Sequence, residues 1–144
     1  MKIANGHLYC HNEDIDGGIL MSLKILRCNE CGKVAVILND SECPTKCCGE
    51  AMTVLEANTV DASQEKHVPV VVREGNKITV SVGSVEHPMI PEHYIEFIVL
   101  ETKAGFRVAY LYPGDTPSAD FYAEEPVIAV YAYCNLHGLW KTEA

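Results

Sequence analysis

The most constraining feature of this chain lies near its end, where an apolar run stops at a thiol. Residues 127–133 have the length and composition of a strand, Cys134 follows directly, and His137 and Gly138 come three and four residues later. Strand ends and the turns after them are places where a rigid scaffold directs side chains at one point. A single Cys-x-x-His is weak evidence for a metal site, because a buried cysteine beside an unrelated histidine fits it equally well.

The other histidines strengthen the case for a metal site. Beyond the first eleven residues the chain has four: His67, His87, His93 and His137. The first three lie in segments marked by proline or turn residues rather than on a helix face. Imidazole and thiolate together suit iron, copper or zinc and disfavour magnesium or calcium. The pattern therefore predicts a site of four imidazoles and the Cys134 thiolate, with one octahedral position left for a small ligand.

The second half of the chain consists of short apolar segments separated by turn residues. They have the spacing of strands in an antiparallel β-sandwich. No segment has a helical period, and we expect an all-β protein with an immunoglobulin-like sandwich. The expected strands are residues 68–72, 77–82, 94–102, 106–112, 121–123 and 127–133. Residues 127–133 are expected to be the last strand.

A small module with four cysteines precedes the sandwich. Cys28 and Cys31 form a Cys-x-x-Cys knuckle, and Cys47 and Cys48 supply two adjacent thiols. Four thiolates suit a tetrahedral zinc or iron ion. The alternative is a redox Cys-x-x-Cys, whose usual βαβ setting is missing. Cys43 is predicted to be a spectator. A module of about 35 residues buries little core, so the metal supplies folding energy.

The first twenty or so residues differ from the rest, being polar and acidic without a clear period. Met21 has the features of a natural start, and we expect the preceding residues to be a disordered extension. Cys10, His7 and His11 lack a scaffold and are not predicted to bind metal. The expected domains are residues 1–21 (N-terminal extension), 22–57 (four-cysteine module), 58–64 (polar linker) and 65–144 (catalytic sandwich).

Charge and hydropathy exclude several classes of protein. The net charge of −9 argues against binding to nucleic acid or to an anionic membrane surface. No apolar run approaches the ~20 residues that span a bilayer, and the start has no apolar signal-peptide core. We therefore expect a cytoplasmic protein. Thiols stay reduced in that compartment, so a chain with seven cysteines is expected to use them for metal binding more than for disulfides.

Taken together, these motifs resemble desulfoferrodoxin, the two-iron form of superoxide reductase, over residues 22–142. The module resembles desulforedoxin in Cys28-x-x-Cys31, fifteen intervening residues, and Cys47-Cys48-Gly49-Glu50. The second domain resembles the neelaredoxin-type domain in three segments. These are Glu65-Lys66-His67-Val68-Pro69, Glu86-His87-Pro88 through Glu92-His93-Tyr94-Ile95, and Cys134-Asn135-Leu136-His137-Gly138-Leu139-Trp140. The extension, Cys10 and Cys43 depart from the family pattern.

The resemblance implies a reaction and a role for each residue. The reaction is the one-electron reduction of superoxide to hydrogen peroxide, in oxygen detoxification. The implied cofactor is iron, two per chain. A rubredoxin-like iron is bound by Cys28, Cys31, Cys47 and Cys48, and the catalytic iron by His67, His87, His93 and His137 in a plane with Cys134 as the axial ligand. Glu65 is the carboxylate that takes the open position in the oxidised state, and Lys66 attracts the anion and organises water for protonation.

The resemblance also implies partners. They are superoxide, a rubredoxin as electron donor, and a second copy in a homodimer built through the four-cysteine module. The charge of the chain supports the role of Lys66 independently. A protein with a net charge of −9 repels superoxide, so capture requires a local positive charge.

Two other classes of protein remain open on the residues alone. A cupredoxin-like electron carrier is also a β-sandwich with Cys and His near its last strand. However, it uses two histidines and usually a weak axial Met, and no Met follows His137. A zinc-ribbon interaction module fused to a sandwich accounts for the four cysteines but leaves the histidines unused. Metal analysis separates the three: two irons, one copper or one zinc per chain.

Overall fold

The computed structural model describes residues 23–144, together with the backbone of two short paired strands, β1 (Ile3–Ala4) and β2 (His7–Leu8). Apart from these two strands, residues 1–22 lie outside the described residues, and so do the predictions of a start at Met21 and of no metal site at Cys10, and most of the predicted disordered extension. The chain divides into two compact units, Met1–Leu55 and Glu56–Ala144. Within the described ranges, no helix has the length and apolar character needed to cross a bilayer.

The first unit is built from very short strands. A three-stranded antiparallel sheet has the order β4-β3-β7, and β5 and β6 form a hairpin. The strands are β3 (Lys24–Arg27), β4 (Val34–Ile37), β5 (Lys46–Cys47), β6 (Glu50–Ala51) and β7 (Thr53–Val54). Among the described residues of this unit, the buried apolar side chains are Ile25, Leu26 and Cys28. Such a core is too small to offset the conformational entropy of the unit, which therefore requires another source of stability.

The second unit contains one helical turn and two antiparallel sheets. One sheet has the order β11-β10-β13-β14, and the other has the order β12-β9-β8. Its elements are α1 (Gln64–His67), β8 (Pro69–Glu74), β9 (Lys77–Val82), β10 (Ile95–Thr102), β11 (Gly105–Tyr110), β12 (Ser118–Tyr122), β13 (Val127–Cys134) and β14 (Gly138–Glu143). The prediction of an all-β protein with an antiparallel sandwich is confirmed.

The core of the sandwich follows the two-residue period of its strands. Alternate residues of β9, β10 and β13 point into one apolar layer, where each fully buried aliphatic side chain contributes roughly 1.5–3 kcal/mol. The central residues of this layer are Ile78, Val80, Val82, Ile98, Leu100, Val130, Ala132 and Cys134. Cys134 is thus the last member of the buried stripe of β13, so its direction is fixed by core packing.

One short element was not predicted, and one expectation about the strands is wrong. Residues Gln64–His67 form a single helical turn, which Pro69 follows after one extended residue. Four residues are too few to show a helical period, so this turn agrees with the absence of such a period from the sequence. The expectation that residues 127–133 form the last strand is wrong. Gly138–Glu143 forms β14, and Gly138 pairs with Cys134 in a tight hairpin. This hairpin places His137 in the turn beside the thiol.

Candidate metal centres

The four predicted cysteines of the first unit converge on one point. The sulfur atoms of Cys28, Cys31, Cys47 and Cys48 all lie within 4.8 Å of one another. Cys31 and Cys47 are 3.7 Å apart at Sγ, and Cys47 and Cys48 are 3.9 Å apart. Cys48 adopts a left-handed backbone conformation with φ 52°, which is uncommon for a non-glycine residue. This backbone conformation lets the adjacent thiols of Cys47 and Cys48 face the same point.

The thiols of this group affect one another's ionisation. The backbone N–H of Cys31 is the main cause that lowers the pKa of Cys28 to about 7. Hydrogen bonding with the side chain of Cys31, and then of Cys47, raises the pKa of Cys48 to about 12. One thiol therefore ionises readily, and its environment disfavours ionisation of a second thiol. A bound cation would stabilise several thiolates together. Cys43 does not belong to this group, as predicted. It is disulfide-bonded, so the expectation of metal binding rather than disulfides is wrong for Cys43.

The four predicted histidines of the second unit form a closed ring of imidazoles. Going around it, the ring centroids of His67 and His87 are 4.6 Å apart, those of His87 and His93 are 4.6 Å apart, those of His93 and His137 are 4.9 Å apart, and those of His137 and His67 are 4.8 Å apart. Neighbouring planes are inclined at 76° to 89°. Opposite rings, His67 and His93, are 6.1 Å apart and roughly parallel. All four imidazoles thus surround one centre.

Hydrogen bonds to backbone carbonyls orient two of the rings. His67 Nδ1 lies 2.6 Å from the carbonyl oxygen of Ser63, and His87 Nδ1 lies 2.7 Å from that of Pro88. A ring that donates from Nδ1 keeps the lone pair on Nε2, the arrangement found in metal-binding histidines. The Nε2 atoms of His87 and His93 are buried and have no hydrogen-bond partner in the described part of the chain. Buried nitrogen atoms without partners are costly unless a ligand satisfies them.

The thiol of Cys134 belongs to the same centre. The ligand atoms of His67, His93, Cys134 and His137 all lie within 4.8 Å of one another, and Cys134 Sγ is 3.8 Å from His137 Nδ1. Burial raises the pKa of Cys134, and the backbone N–H groups of His137 and Leu136 partly oppose this. A buried thiolate therefore requires a cation beside it.

Three of the imidazoles have lowered pKa values, which favours the neutral form that binds metals. Burial is the main cause that lowers the pKa of His67 and His93, and it lowers the pKa of His87 to about 4. At neutral pH these rings are uncharged, so a metal need not displace a proton from them. Neutral nitrogen donors and one sulfur around a buried centre are the donor set of a transition metal.

The two residues predicted to act beside the iron, Glu65 and Lys66, lie on α1. Glu65 and Lys66 are exposed on this turn, directly before the buried His67. The positive charge of Lys66 contributes to the lowered pKa of both His67 and His93. This charge therefore acts on the centre.

Three residues contact the ligand set but were not predicted to do so: Ser63, Asn135 and Trp140. The carbonyl of Ser63 accepts from His67, and Trp140 stacks on His67 with ring centroids 4.8 Å apart. Asn135 bonds to residues on both sides of His93. Asn135 and Trp140 lie within the segment that contains Cys134 and His137, and their proximity in sequence is a usable signal. A backbone acceptor such as the carbonyl of Ser63 has no corresponding signal in the sequence, because every residue has a backbone carbonyl.

The fold and the two groups define a class of protein: an all-β chain with a four-thiol centre in one unit and a histidine–thiol centre in the other. Comparisons with known proteins agree. Residues 59–143 match the family model described as desulfoferrodoxin. The desulfoferrodoxin homolog of Archaeoglobus fulgidus is 41% identical over 120 residues, covering 83% of this chain and 96% of that protein. The desulfoferrodoxin of Clostridium acetobutylicum is 47% identical over 112 residues, covering 78% and 89%.

A solved structure agrees as well. The crystal structure of the superoxide reductase from Treponema pallidum superposes with a TM-score of 0.73 at 33% identity, covering 85% of this chain and all of that one. The chain belongs to the desulfoferrodoxin family, as its motifs predicted. The family binds two irons, and the four-thiol and histidine–thiol groups supply one site for each.

Proposed function

We propose that this protein is a superoxide reductase, an oxidoreductase that acts on superoxide. Each superoxide takes up one electron and two protons and leaves as hydrogen peroxide. One observation carries the proposal: the ligand atoms of His67, His93, Cys134 and His137 lie within 4.8 Å of one another, and the ring of His87 contacts those of His67 and His93. Among the described residues, the Nε2 atoms of His87 and His93 are buried without hydrogen-bond partners. Membership of the desulfoferrodoxin family and the likeness to the Treponema pallidum enzyme support the same conclusion.

We assign the ligands of the catalytic iron from the geometry of the group. One nitrogen each from His67, His87, His93 and His137, together with Cys134 Sγ, would hold it. Iron held there would supply the electron that reduces superoxide, and the Cys134 thiolate would donate electron density to it. The carbonyls of Ser63 and Pro88 fix the tautomers of His67 and His87. The backbone N–H groups of Leu136 and His137 direct hydrogen bonds at the sulfur of Cys134 and moderate its charge.

Lys66 and Glu65 are proposed to act at the exposed side of the centre. Lys66 provides the local positive charge that draws a small anion to a chain with a net charge of −9, as expected for electrostatic steering. The same ammonium group orders water for the delivery of protons. Glu65 is the carboxylate that would bind the catalytic iron when that iron is oxidised.

The four-cysteine group is proposed to hold a rubredoxin-like iron that acts as an electron relay or a structural centre. The buried apolar side chains described for this unit are few, which supports a structural contribution from the metal. The domain division at residues 1–21, 22–57, 58–64 and 65–144 is retained as part of the proposal. So are a rubredoxin as electron donor, a homodimer formed through the four-cysteine module, and a cytoplasmic location with a role in oxygen detoxification.

Metal analysis combined with product analysis tests this function. The purified chain should contain two irons, and superoxide generated by pulse radiolysis should yield hydrogen peroxide without oxygen. Release of oxygen would show dismutation instead of reduction. One copper per chain would favour an electron carrier, and one zinc would favour an interaction module. Any of these three results would overturn the proposal.

A further inference from the structure

Asn135 lies in the segment that carries Cys134 and His137, and its side chain bonds to both sides of His93. It is the first residue after β13, directly after Cys134. Its side-chain Oδ1 accepts from the N–H of Tyr94 at 2.9 Å, and its Nδ2 donates to the carbonyl oxygen of Glu92 at 3.1 Å. Its own backbone N–H donates to the carbonyl of Tyr94 at 3.1 Å. The reversed amide would place oxygen against oxygen, so these partners fix its orientation.

These bonds complete the hydrogen bonding of the two peptide groups that flank His93. In the inner pair, the N–H of His93 donates to the carbonyl of Ile90 at 3.0 Å, and the N–H of Ile90 donates to the carbonyl of His93 at 3.1 Å. The other two groups of these peptides are the carbonyl of Glu92 and the N–H of Tyr94. The side chain of Asn135 binds both of them. The side chain of Asn135 thus stands where a neighbouring strand would supply backbone groups. Together, Ile90 and Asn135 hold both peptides and set the direction of the His93 side chain.

His93 depends on its backbone more than His67 and His87 do. Those two rings each have a carbonyl partner at Nδ1. For His93, no ring hydrogen bond occurs among residues 23–144, and its Nε2 is buried without a partner. Backbone position is therefore the main constraint on this imidazole.

We propose that Asn135 is a positioning residue that links Cys134 to His93 and holds the histidine–thiol centre in its metal-binding geometry. The inference rests on the proposed iron site. Groups that orient metal ligands typically change metal affinity 10- to 100-fold when they are replaced. Asn135→Asp is the sharpest change, because it keeps the shape and the acceptor for Tyr94 but places a carboxylate oxygen against the carbonyl of Glu92.

Asn58 offers a matched control in the same unit. Its Nδ2 donates to the carbonyl of Lys141 at 3.0 Å, and its Oδ1 accepts from the N–H of Lys141 at 2.9 Å. The two asparagines therefore make the same pair of bonds, but Asn58 makes them to β14 rather than to a ligand segment. Asn58→Asp reports the cost of the substitution itself.

The test measures how fast a chelator removes iron from each centre of the full chain, followed through the visible band of each centre. Asn135→Asp should speed release from the histidine–thiol centre about tenfold or more while leaving the four-cysteine centre unchanged. Asn58→Asp should leave both rates within about twofold of wild type. Equal rates for Asn135→Asp and wild type, or equal acceleration by both substitutions, would overturn the role of Asn135.

A second variant covers the case in which Asn135→Asp does not fold. Asn135→Ala removes both side-chain bonds without adding charge, and the same rates decide the outcome. If wild type held no iron at the histidine–thiol centre, the proposed function would fail. Iron in wild type with unchanged release from Asn135 variants would refute this inference alone.

Discussion

The indole ring of Trp140 stacks on the imidazole of His67, with centroids 4.8 Å apart and planes inclined at 24°. The same indole donates its Nε1–H to the carbonyl oxygen of His137 at 3.1 Å. Trp140 is fully buried, so core packing holds it in place. One core side chain therefore contacts two of the four histidines.

Replacing Trp140 should separate its two contacts. Trp140→Phe keeps an aromatic face for His67 but leaves the carbonyl of His137 without its donor, a loss of about 1–3 kcal/mol in the free energy of unfolding. Trp140→Leu loses both contacts and leaves a cavity, so its loss of stability should exceed that of Trp140→Phe. Release of iron from the histidine–thiol centre should be fastest in Trp140→Leu and intermediate in Trp140→Phe. Denaturant unfolding and chelator kinetics measure the two quantities.

Phe121 provides the control for this prediction, because it is a buried aromatic of the same core on β12. Phe121→Leu should lower stability without changing the order of metal release. Release that followed stability across all three variants would contradict a specific role for Trp140.

Gly83 packs against the turn that carries His67. With φ +81°, it lies where an added Cβ would come within 2.5 Å of the carbonyl oxygen of Val85 and 2.7 Å of that of Glu65. Gly83→Ala should therefore displace α1 and lose iron from the histidine–thiol centre. Its loss of stability should exceed the ~1–2 kcal/mol of a left-handed non-glycine residue. Thermal unfolding and iron content measure both effects.

Gly75 allows the steric effect to be separated from the backbone effect. It also has a left-handed backbone, φ +61°, but an added Cβ would meet nothing within 4 Å. Gly75→Ala should lose only the ~1–2 kcal/mol of backbone strain and keep its iron. Similar iron loss in both variants would argue against a clash at α1.

The limits of prediction from this sequence have identifiable physical causes. Strands such as β9 were predictable because Ile78, Val80 and Val82 alternate with exposed or half-buried residues. β14 was missed because Leu139 and Trp140, which are adjacent, are both buried, so the alternation disappears. The Gln64–His67 turn is too short for a period. The grouping of ligands followed from residue types and family motifs, but the carbonyl of Ser63 and the stacking of Trp140 depend on tertiary contacts that no spacing encodes.

Replacing Cys28 tests whether the two units act separately. The chain divides into two compact units, each with its own ligand group. Cys28→Ser should abolish the visible spectrum of the four-cysteine iron while superoxide reduction remains largely intact. Cys43→Ser, which changes a cysteine outside the ligand group, should retain both irons. Loss of activity in Cys28→Ser with iron still bound by the histidines would contradict separability.

Glu125 is predicted to contribute to resistance to acid. Its own backbone N–H, then Arg107 at 3.0 Å and Thr102 at 2.9 Å, lower its pKa from 4.5 to about 2. A lowered folded-state pKa stabilises the protein above the unfolded value, and this contribution is lost as pH falls from about 4.5 through about 2. Glu125→Gln should thus be less stable than wild type at pH 7, and the difference should shrink toward pH 2.

The measurement for Glu125 is thermal unfolding from pH 7 to pH 2, taken as the difference between variant and wild type. Changes common to both, such as protonation of metal ligands, cancel in that difference. Glu124→Gln alters the adjacent exposed carboxylate and should give a smaller difference with less dependence on pH. A constant gap between Glu125→Gln and wild type would show that the carboxylate is not the source of the effect.

Lys66 is predicted to capture superoxide by charge. It is exposed beside the buried His67, its charge acts on two of the imidazoles, and the chain as a whole has a net charge of −9. Focused fields raise association rates about tenfold or more, and salt weakens them. Lys66→Ala should slow the second-order reaction with superoxide without changing iron content. The wild-type rate should fall as ionic strength rises, and the Lys66→Ala rate should be less sensitive.

Lys66→Arg should recover much of the rate, since steering requires the charge rather than the ammonium group. Glu65→Ala is the control: it should alter the spectrum of oxidised iron but not the capture step. Pulse radiolysis at several salt concentrations decides the matter, and equal rates for wild type and Lys66→Ala at low salt would refute the steering role.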